Sequence, residues 1–342
     1  MLSNQIIKSL TRINLNNNSI HTLETKLPKP SDQIDYNVSG YEAVLKNEIK
    51  LISCVNFQKD VLDFIKILPP EIDSVIGISR SGIYPASLIS TMLHLPIGAL
   101  RQSKKDIIEL GNGWRLQSDD NAESHRSLGN NPIIIDDTVM TGRSMIECKK
   151  IALDKYPNAI FGSIYCNPIA KEKPNIYLRE LDHPHFLEWN LFNSLFSKCG
   201  ATDFDGVICE DCRPEDDDDG PNYIKFLMNA RPRYITRKSS IPLIVTARLE
   251  KYRGLTEMWL KKYGISCDKL VMHPASSLEE RNKDDISLYK SKHIKEWMEN
   301  IPHKSVWRFP FFIESNEYQA QKISKLTPII TVCTDNLKCY KP

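Results

Sequence analysis

A chain of 342 residues is long for a single hydrophobic core, so two domains are expected, each able to bury a core of its own. Hydrophobic residues at 41% and charged residues at 26% fit an ordinary soluble globular protein and exclude a disordered or fibrous one. A formal net charge of +2 excludes the strong basic excess of a large nucleic-acid footprint, so no nucleic-acid partner is expected.

No apolar run approaches the roughly 20 residues that span a bilayer. The N-terminus carries no short apolar core behind basic residues, so no membrane association and a cytoplasmic location are expected. The nine cysteines are odd in number and scattered, which reads as reduced thiols. Cys209 and Cys212 have C-x-x-C spacing, but with no second pair or histidine at a matching distance they do not read as a zinc site.

In chain order, the first 36 residues, with NLNNNS and LPKPSD, have weak periodicity and read as an extension. Helical spacing of apolar residues in YEAVLKNEIKLI and FQKDVLDFIKIL predicts two amphipathic helices between Tyr41 and Leu68. SVIGIS at 74–79 predicts a strand, IYPASLISTMLHL a helix and LPIGAL a second strand. Between Arg101 and Gly129 the chain turns polar, which predicts a long mobile loop. PIIID predicts a third strand before a helix from about Ser144 to Lys155, and AIFGSIYCNP at 159–168 a fourth. Strands alternating with helices imply parallel βαβ units. Near residue 200 the alternation restarts, with strands in ATDFDGVIC, IPLIVTAR, KLVMH and FPFFIES and helices in TEMWLKKYGI, around Lys290 to Glu299, and in EYQAQKISKL. EDDDDG at 215–220 lacks the EF-hand alternation and reads as a solvated loop.

Asp136 and Asp137 end the apolar run PIII, where ligands bind in open parallel sheets. The following TVMTGRS supplies the hydroxyls of Thr138, Thr141 and Ser144 beside Gly142 and Arg143, so backbone amides can wrap a phosphate at a helix start. Carboxylates next to a phosphate cradle suit a ligand that also carries hydroxyls, such as a ribose 5-phosphate. IIIDDTVMTGRS resembles the phosphoribosyl pyrophosphate motif of the type I phosphoribosyltransferases. The resemblance implies that Asp136 and Asp137 bind the ribose hydroxyls and that Thr138 to Ser144 hold the 5-phosphate. VIGISRSGIYPAS is similar to that family's pyrophosphate loop, which assigns Ser79, Arg80, Ser81 and Gly82 to the diphosphate. The polar segment from Arg101 to Leu128 resembles its mobile lid, with Lys104 or Lys105 reaching the pyrophosphate. Ser144 departs from the threonine usual at its position but keeps the hydroxyl. The acceptor hood falls at residues 1–60 and 165–195, where Tyr165, Phe186, Trp189 and Phe192 read more readily as core than as base-stacking platforms.

DFDGV at 203–207 has two acids separated by one residue, which on extended chain face the same pocket. An aspartate can be a nucleophile for phosphoryl transfer when a divalent cation neutralises the charge. DFDGV resembles the first motif of the haloacid dehalogenase (HAD) superfamily of phosphatases, and the resemblance extends over residues 198–332. It implies Asp203 as nucleophile and Mg2+ ligand, Asp205 as general acid/base and a ligand through its carbonyl, Thr246 and Lys290 (or Lys292) as phosphate contacts, and Glu314 as a further metal ligand. Superfamily members usually have two acids at the last motif. Here Ser315 and Asn316 follow Glu314, leaving Asn316 or Glu317 to complete the metal shell.

The expected fold is α/β with two parallel-sheet domains: an extension at 1–36, a type I phosphoribosyltransferase fold at 37–195 and a HAD-like fold with a small or absent cap at 196–342. The implied function is transfer of phosphoribosyl from phosphoribosyl pyrophosphate to a base or similar acceptor, then Mg2+-dependent removal of the 5-phosphate from the product. A homodimer is compatible with this reading. Two alternatives are a regulator that senses phosphoribosyl pyrophosphate with little turnover, and a phosphatase acting on nucleic-acid ends.

Overall fold

The apolar runs of the first half become neighbouring strands because each buries both faces, as parallel sheets require. The computed structural model describes residues 12–13, 20–21, 48–111, 127–237, 239–300 and 309–342. They fall into two compact units, residues 1–33 with 54–183 and residues 34–53 with 184–342.

Along the first half run β1 (Arg12–Ile13) and β2 (Ile20–His21), which pair antiparallel, then β3 (Lys50–Ile52) and α1 (Cys54–Ile65). There follow β4 (Ser74–Ile78), α2 (Ile83–Leu93), β5 (Ile97–Arg101), β6 (Asp106–Gly111), β7 (Pro132–Val139), α3 (Arg143–Ala152), β8 (Ile160–Cys166) and β9 (Ile176–Glu180). The sheet of the first unit has the order β6-β5-β4-β7-β8-β9 and is parallel except for the β5–β6 hairpin. On β7, Ile134 joins a core with Ile76, Leu100, Met145, Cys148 and Phe161. Its neighbours Ile133 and Ile135 are equally buried and, by the period of two along a strand, face the opposite side.

The second half contains β10 (His185–Leu187), β11 (Gly200–Thr202), α4 (Pro221–Asn229), β12 (Leu243–Leu249), α5 (Arg253–Tyr263), β13 (Leu270–His273), α6 (Leu278–Arg281) and α7 (Ile286–Glu299). It closes with β14 (Phe311–Glu314), α8 (Glu317–Leu326), β15 (Ile330–Cys333) and β16 (Lys338–Tyr340). Its sheet has the order β10-β3-β16-β15-β14-β11-β12-β13, in which only β16 runs antiparallel to its neighbours. Both faces are covered. Ile244, Phe311 and Ile313 pack on one side with Trp259 and Leu260 of α5, while Leu243, Val245 and Phe312 pack on the other with Ile294 of α7 and Ile323 of α8.

Two expectations change. Residues 50–52, expected as helix in YEAVLKNEIKLI, are strand β3, because they pair with His185–Leu187; residues 41–47 of that expectation lie outside the described residues. The polar stretch after Arg101 is a loop only in part. DIIELG returns as β6 and the Arg101 guanidinium forks the Asp106 carboxylate across the turn, while residues 112–126 lie outside the described residues. The acidic run 215–220 is a loop of turns and bends, exposed or half-buried as expected, in which Asp218 accepts N–H bonds from Gly220 (2.9 Å) and Tyr223 (3.0 Å) at the start of α4. Exposed amides at a helix start attract a carboxylate, which is why the run is held there. The sequence reading divided the chain at 36/37 and 195/196, whereas the compact units change over at 53/54 and 183/184, since β3 and β10 pair within the second sheet.

Asp285 begins α7 by accepting N–H bonds from Ser287 (3.1 Å) and Leu288 (3.3 Å). Asp285→Ala is expected to lower stability in urea unfolding by ~1 kcal/mol, and Asp285→Asn, which keeps the capping oxygen, by much less. An equal loss in both would show that the exposed pair with Lys322, not the cap, stabilises this end.

Candidate functional site

In the first unit the carboxyl ends of β4, β5 and β7 converge. Ile78 is in register with Leu100 and Gly77 with Ile135, so Ser79–Gly82, Gln102–Lys105 and Asp136–Ser144 all leave the same edge. The Ser79 N–H donates to the Leu100 carbonyl at 2.9 Å, and the Ser79–Arg80 peptide is cis. A Cβ on Gly82 would lie 2.4 Å from the Ile135 carbonyl oxygen, so only glycine lets this turn rest on β7 one residue before the acid pair.

Asp136 and Asp137 are both buried. The Asp137 N–H donates to Asp136 Oδ1 (3.0 Å), and the Thr138 N–H to Asp137 Oδ1 (2.8 Å). Burial, reinforced by the adjacent Asp137, pushes the Asp136 carboxyl well above the ordinary carboxylate range. The Thr138 hydroxyl is buried without a hydrogen-bond partner, a donor left for a ligand. Gly142 has φ 83°, and a Cβ there would lie 2.3 Å from the Glu172 carbonyl oxygen, so the turn into α3 is closed to other residues. The Lys171 N–H donates to the Thr141 carbonyl (3.1 Å) and ties this turn to the following loop. Ser144 accepts from Gln102 Nε2 at 2.5 Å, whereas Arg143 is exposed and pairs with Glu147 at 3.6 Å. Lys104 and Lys105 stand exposed at the hairpin tip, as does Arg80 in its own turn.

The second unit holds a cavity of about 350 Å³ lined by Asp203, Asp205, Thr246, Lys290 and Glu314 among others. Phe204, between the two aspartates, points the other way into the core. Lys290 Nζ donates to Asp203 Oδ2 at 2.6 Å and to Glu314 Oε2 at 2.7 Å. Burial works against this ammonium, but the two carboxylates outweigh it and hold its pKa above the ordinary lysine value. Burial also raises the Asp203 carboxyl well above the carboxylate range against the pull of Lys290, because Glu314 shares the same cation. Lys292 is exposed and Lys290 is buried, so Lys290 is the lysine in the cavity.

Among the described residues no group of three His, Cys, Asp or Glu side chains is arranged to hold a metal ion. Lys290 joins Asp203 to Glu314, and the Asp205 carboxylate is turned to Arg248. Asp203 and Glu314 line the cavity with carboxylates, hard donors of the kind that Mg2+ takes, and the Asp205 carbonyl accepts from the Ser315 hydroxyl at 3.4 Å. Asn316 lines the cavity and caps α8 by accepting from the Gln319 N–H (3.0 Å), while Glu317 is turned to the Tyr340 hydroxyl (2.7 Å). The Cys209 thiol donates to Asp205 Oδ1 at 3.3 Å, and burial raises both Cys209 and Cys212, the latter to about 12, so this pair stays protonated.

The sequence reading missed Arg248, Asp211, Asp217, Arg281 and Asp335, all of which line the cavity. Arg248 had a local signal, since it stands two residues after Thr246 on a strand and so shares its side. Of the others, Asp211 and Asp217 come from the loop before α4, Arg281 from the end of α6 and Asp335 from the turn between β15 and β16, with no sequence pattern among them. Of the four aromatics, Phe186 and Phe192 lie in the core of the second unit, and the buried Tyr165 donates its hydroxyl to Asp60 at 2.6 Å.

Residues 54–197 match the family model described as Phosphoribosyl transferase domain. Among solved structures, the chain is similar to a xanthine-guanine-hypoxanthine phosphoribosyltransferase from Helicobacter pylori, at 17% identity over 41% of this chain and 92% of that one (TM-score 0.31). It is likewise similar to a purine phosphoribosyltransferase from Pyrococcus horikoshii, at 17% identity over 41% and 92% (TM-score 0.29). An adenine phosphoribosyltransferase from Leishmania donovani aligns at 15% identity over 53% and 80% (TM-score 0.27). No curated protein matches the chain. The family match supports a phosphoribosyltransferase domain at residues 54–197.

Because Asp136 holds its proton to higher pH when folded than when unfolded, folding takes up a proton between the two values, and stability falls as pH rises above about 4. Asp136→Asn is therefore expected to raise the melting temperature more at about pH 8 than at about pH 5, with a gain on the order of 1 kcal/mol or a few degrees. Equal shifts at both pH values in calorimetry would contradict this.

Proposed function

We propose that the chain is a bifunctional enzyme. The first unit transfers a phosphoribosyl group from phosphoribosyl pyrophosphate to a base or similar acceptor, and the second removes the 5-phosphate from the product. The first half is supported by the family match together with the buried acid pair beside an unpartnered Thr138 hydroxyl. What carries the second half is the Lys290 ammonium bridging Asp203 and Glu314 in the cavity that also contains Thr246.

In the first reaction Asp136 and Asp137 accept hydrogen bonds from the ribose hydroxyls, the turn around Gly142 receives the 5-phosphate, and the Ser79–Gly82 turn receives the departing pyrophosphate with Arg80, Lys104 and Lys105. The positive charge that develops on the sugar carbon favours a site shielded from water. In the second reaction Asp203 attacks phosphorus, Thr246 donates to a phosphate oxygen, Lys290 offsets the charge, and Asp205 handles protons. Mg2+, held by Asp203, Glu314 and the Asp205 carbonyl, would neutralise phosphate charge. The cavity carries six acids (Asp203, Asp205, Asp211, Asp217, Glu314 and Asp335) against Arg248, Arg281 and Lys290, which favours a small phosphate ester over a polynucleotide end.

The test follows pyrophosphate and inorganic phosphate by mass spectrometry after mixing the protein with Mg2+, phosphoribosyl pyrophosphate and a panel of nucleobases. Asp136→Asn with Asp137→Asn is expected to cut pyrophosphate release at least roughly a hundredfold and to leave phosphate release from ribose 5-phosphates intact. Asp203→Asn is expected to do the reverse, by about 10³-fold or more. Release of neither product by the wild type would remove the proposal.

A further inference from the structure

The second cavity contains an arginine with no role in the reactions above, paired with Asp205. Arg248 on β12 is 1% exposed, and its guanidinium forks Asp205, with Nε 2.9 Å from Oδ2 and Nη2 2.6 Å from Oδ1. Nη1 donates to Thr256 Oγ1 at 3.3 Å, and the guanidinium carbon lies 3.9 Å from the Phe204 ring centre and 5.9 Å from that of Phe226. A planar cation gripped by aromatic rings, a hydroxyl and one carboxylate has a single arrangement, unlike a surface arginine. The fork fixes the rotation of the Asp205 side chain and holds its carboxylate at the cavity wall, two residues from Asp203. Burying an arginine opposes folding unless it is fully paired.

We infer that Arg248 is a positioning residue that aims Asp205 at the water which cleaves the phosphorylated form of Asp203. This rests on the phosphatase reading of the cavity. In the first half-reaction an Asp203 oxygen bonds to phosphorus as the bond from phosphorus to the leaving group breaks; with 4-nitrophenyl phosphate the leaving group departs as the phenolate and needs no proton. In the second, a water oxygen bonds to phosphorus, the bond from phosphorus to Asp203 breaks, and the water proton passes to Asp205 and on to solvent. Inorganic phosphate and the free Asp203 carboxylate remain. With this substrate only the second half-reaction uses Asp205, so only that half depends on Arg248.

Rapid-mixing kinetics with Mg2+ and 4-nitrophenyl phosphate, combined with intact-mass spectrometry, separate the halves. Arg248→Met is expected to give a burst of about one nitrophenolate per chain, then turnover roughly 10–100-fold below wild type, with a phosphoryl group retained on Asp203. Asp205→Asn should behave alike, and the double variant should be no slower than the slower single one. Arg248→Lys should shorten the retention. Thr256→Val, which removes an acceptor of the guanidinium but leaves it in place, should give a weaker form of the same retention and decides the matter if Arg248→Met does not fold. Slow turnover with neither burst nor retained phosphoryl group, or additive losses in the double variant, would make Arg248 a purely structural residue and overturn the inference. A wild type without phosphatase activity, or Asp203→Asn at the wild-type rate, would instead overturn the phosphatase reading and the inference with it.

Discussion

One ammonium between two buried carboxylates organises the second unit. Lys290 comes from α7, Asp203 follows β11 and Glu314 ends β14, so a single cation joins one helix to two adjacent strand ends. Removing Lys290 would leave both acids in the interior without a counter-charge, at a cost of about 3–5 kcal/mol, so the cluster depends on this one cation. With two acids sharing one cation, the cluster retains an excess of negative charge, and burial keeps Asp203 high in pKa. A phosphate dianion entering such a site needs further positive charge, which is the physical basis for a divalent cation in the proposed chemistry.

The first unit meets a related difficulty by other means. Asp136 and Asp137 are adjacent and buried, and no lysine stands between them; backbone amides take one oxygen of each. Charge is disfavoured there, so Asp136 keeps its proton. In the proposed reaction the hydroxyl groups of a sugar would satisfy these carboxyls without bringing in new charge, while the glycines at 82 and 142 let their turns rest against the Ile135 and Glu172 carbonyls. Both units thus place acids toward the carboxyl ends of parallel strands, Glu314 as the last residue of β14 and Asp136 within the last half of β7, where it is still paired with Ser163 of β8. The spacing of the acids separates the chemistries. Neighbouring carboxyls suit a vicinal diol, and alternate carboxylates share one wall of a cavity.

The long apolar runs were legible without coordinates. SVIGI, PIIID, LIVTA and FFIE are β-branched or aromatic, short and bounded by turn residues, and each is a buried strand. The shortest elements were not. Lys50–Ile52 and Lys338–Tyr340 carry little local preference, and pairing across the sheet makes them strands. DIIELG was hidden in a polar stretch because β6 is an edge strand with no fully buried residue, and its register comes from β5. The acidic run is the loop its composition suggested, but its partners, helix amides and Lys251, are distant or backbone groups that sequence spacing does not show.

By itself the sequence determined the α/β class, the strand ends bearing acids and the glycine turns beside them, since these follow from hydrophobic period and local backbone sterics. The tertiary structure alone decided which lysine enters the second cavity, that Arg248 grips Asp205, and that Asp211, Asp217, Arg281 and Asp335 join the same wall. Those outcomes depend on long-range packing, which brings side chains from separate parts of the chain within hydrogen-bonding distance and strips them of water, and no local pattern records that.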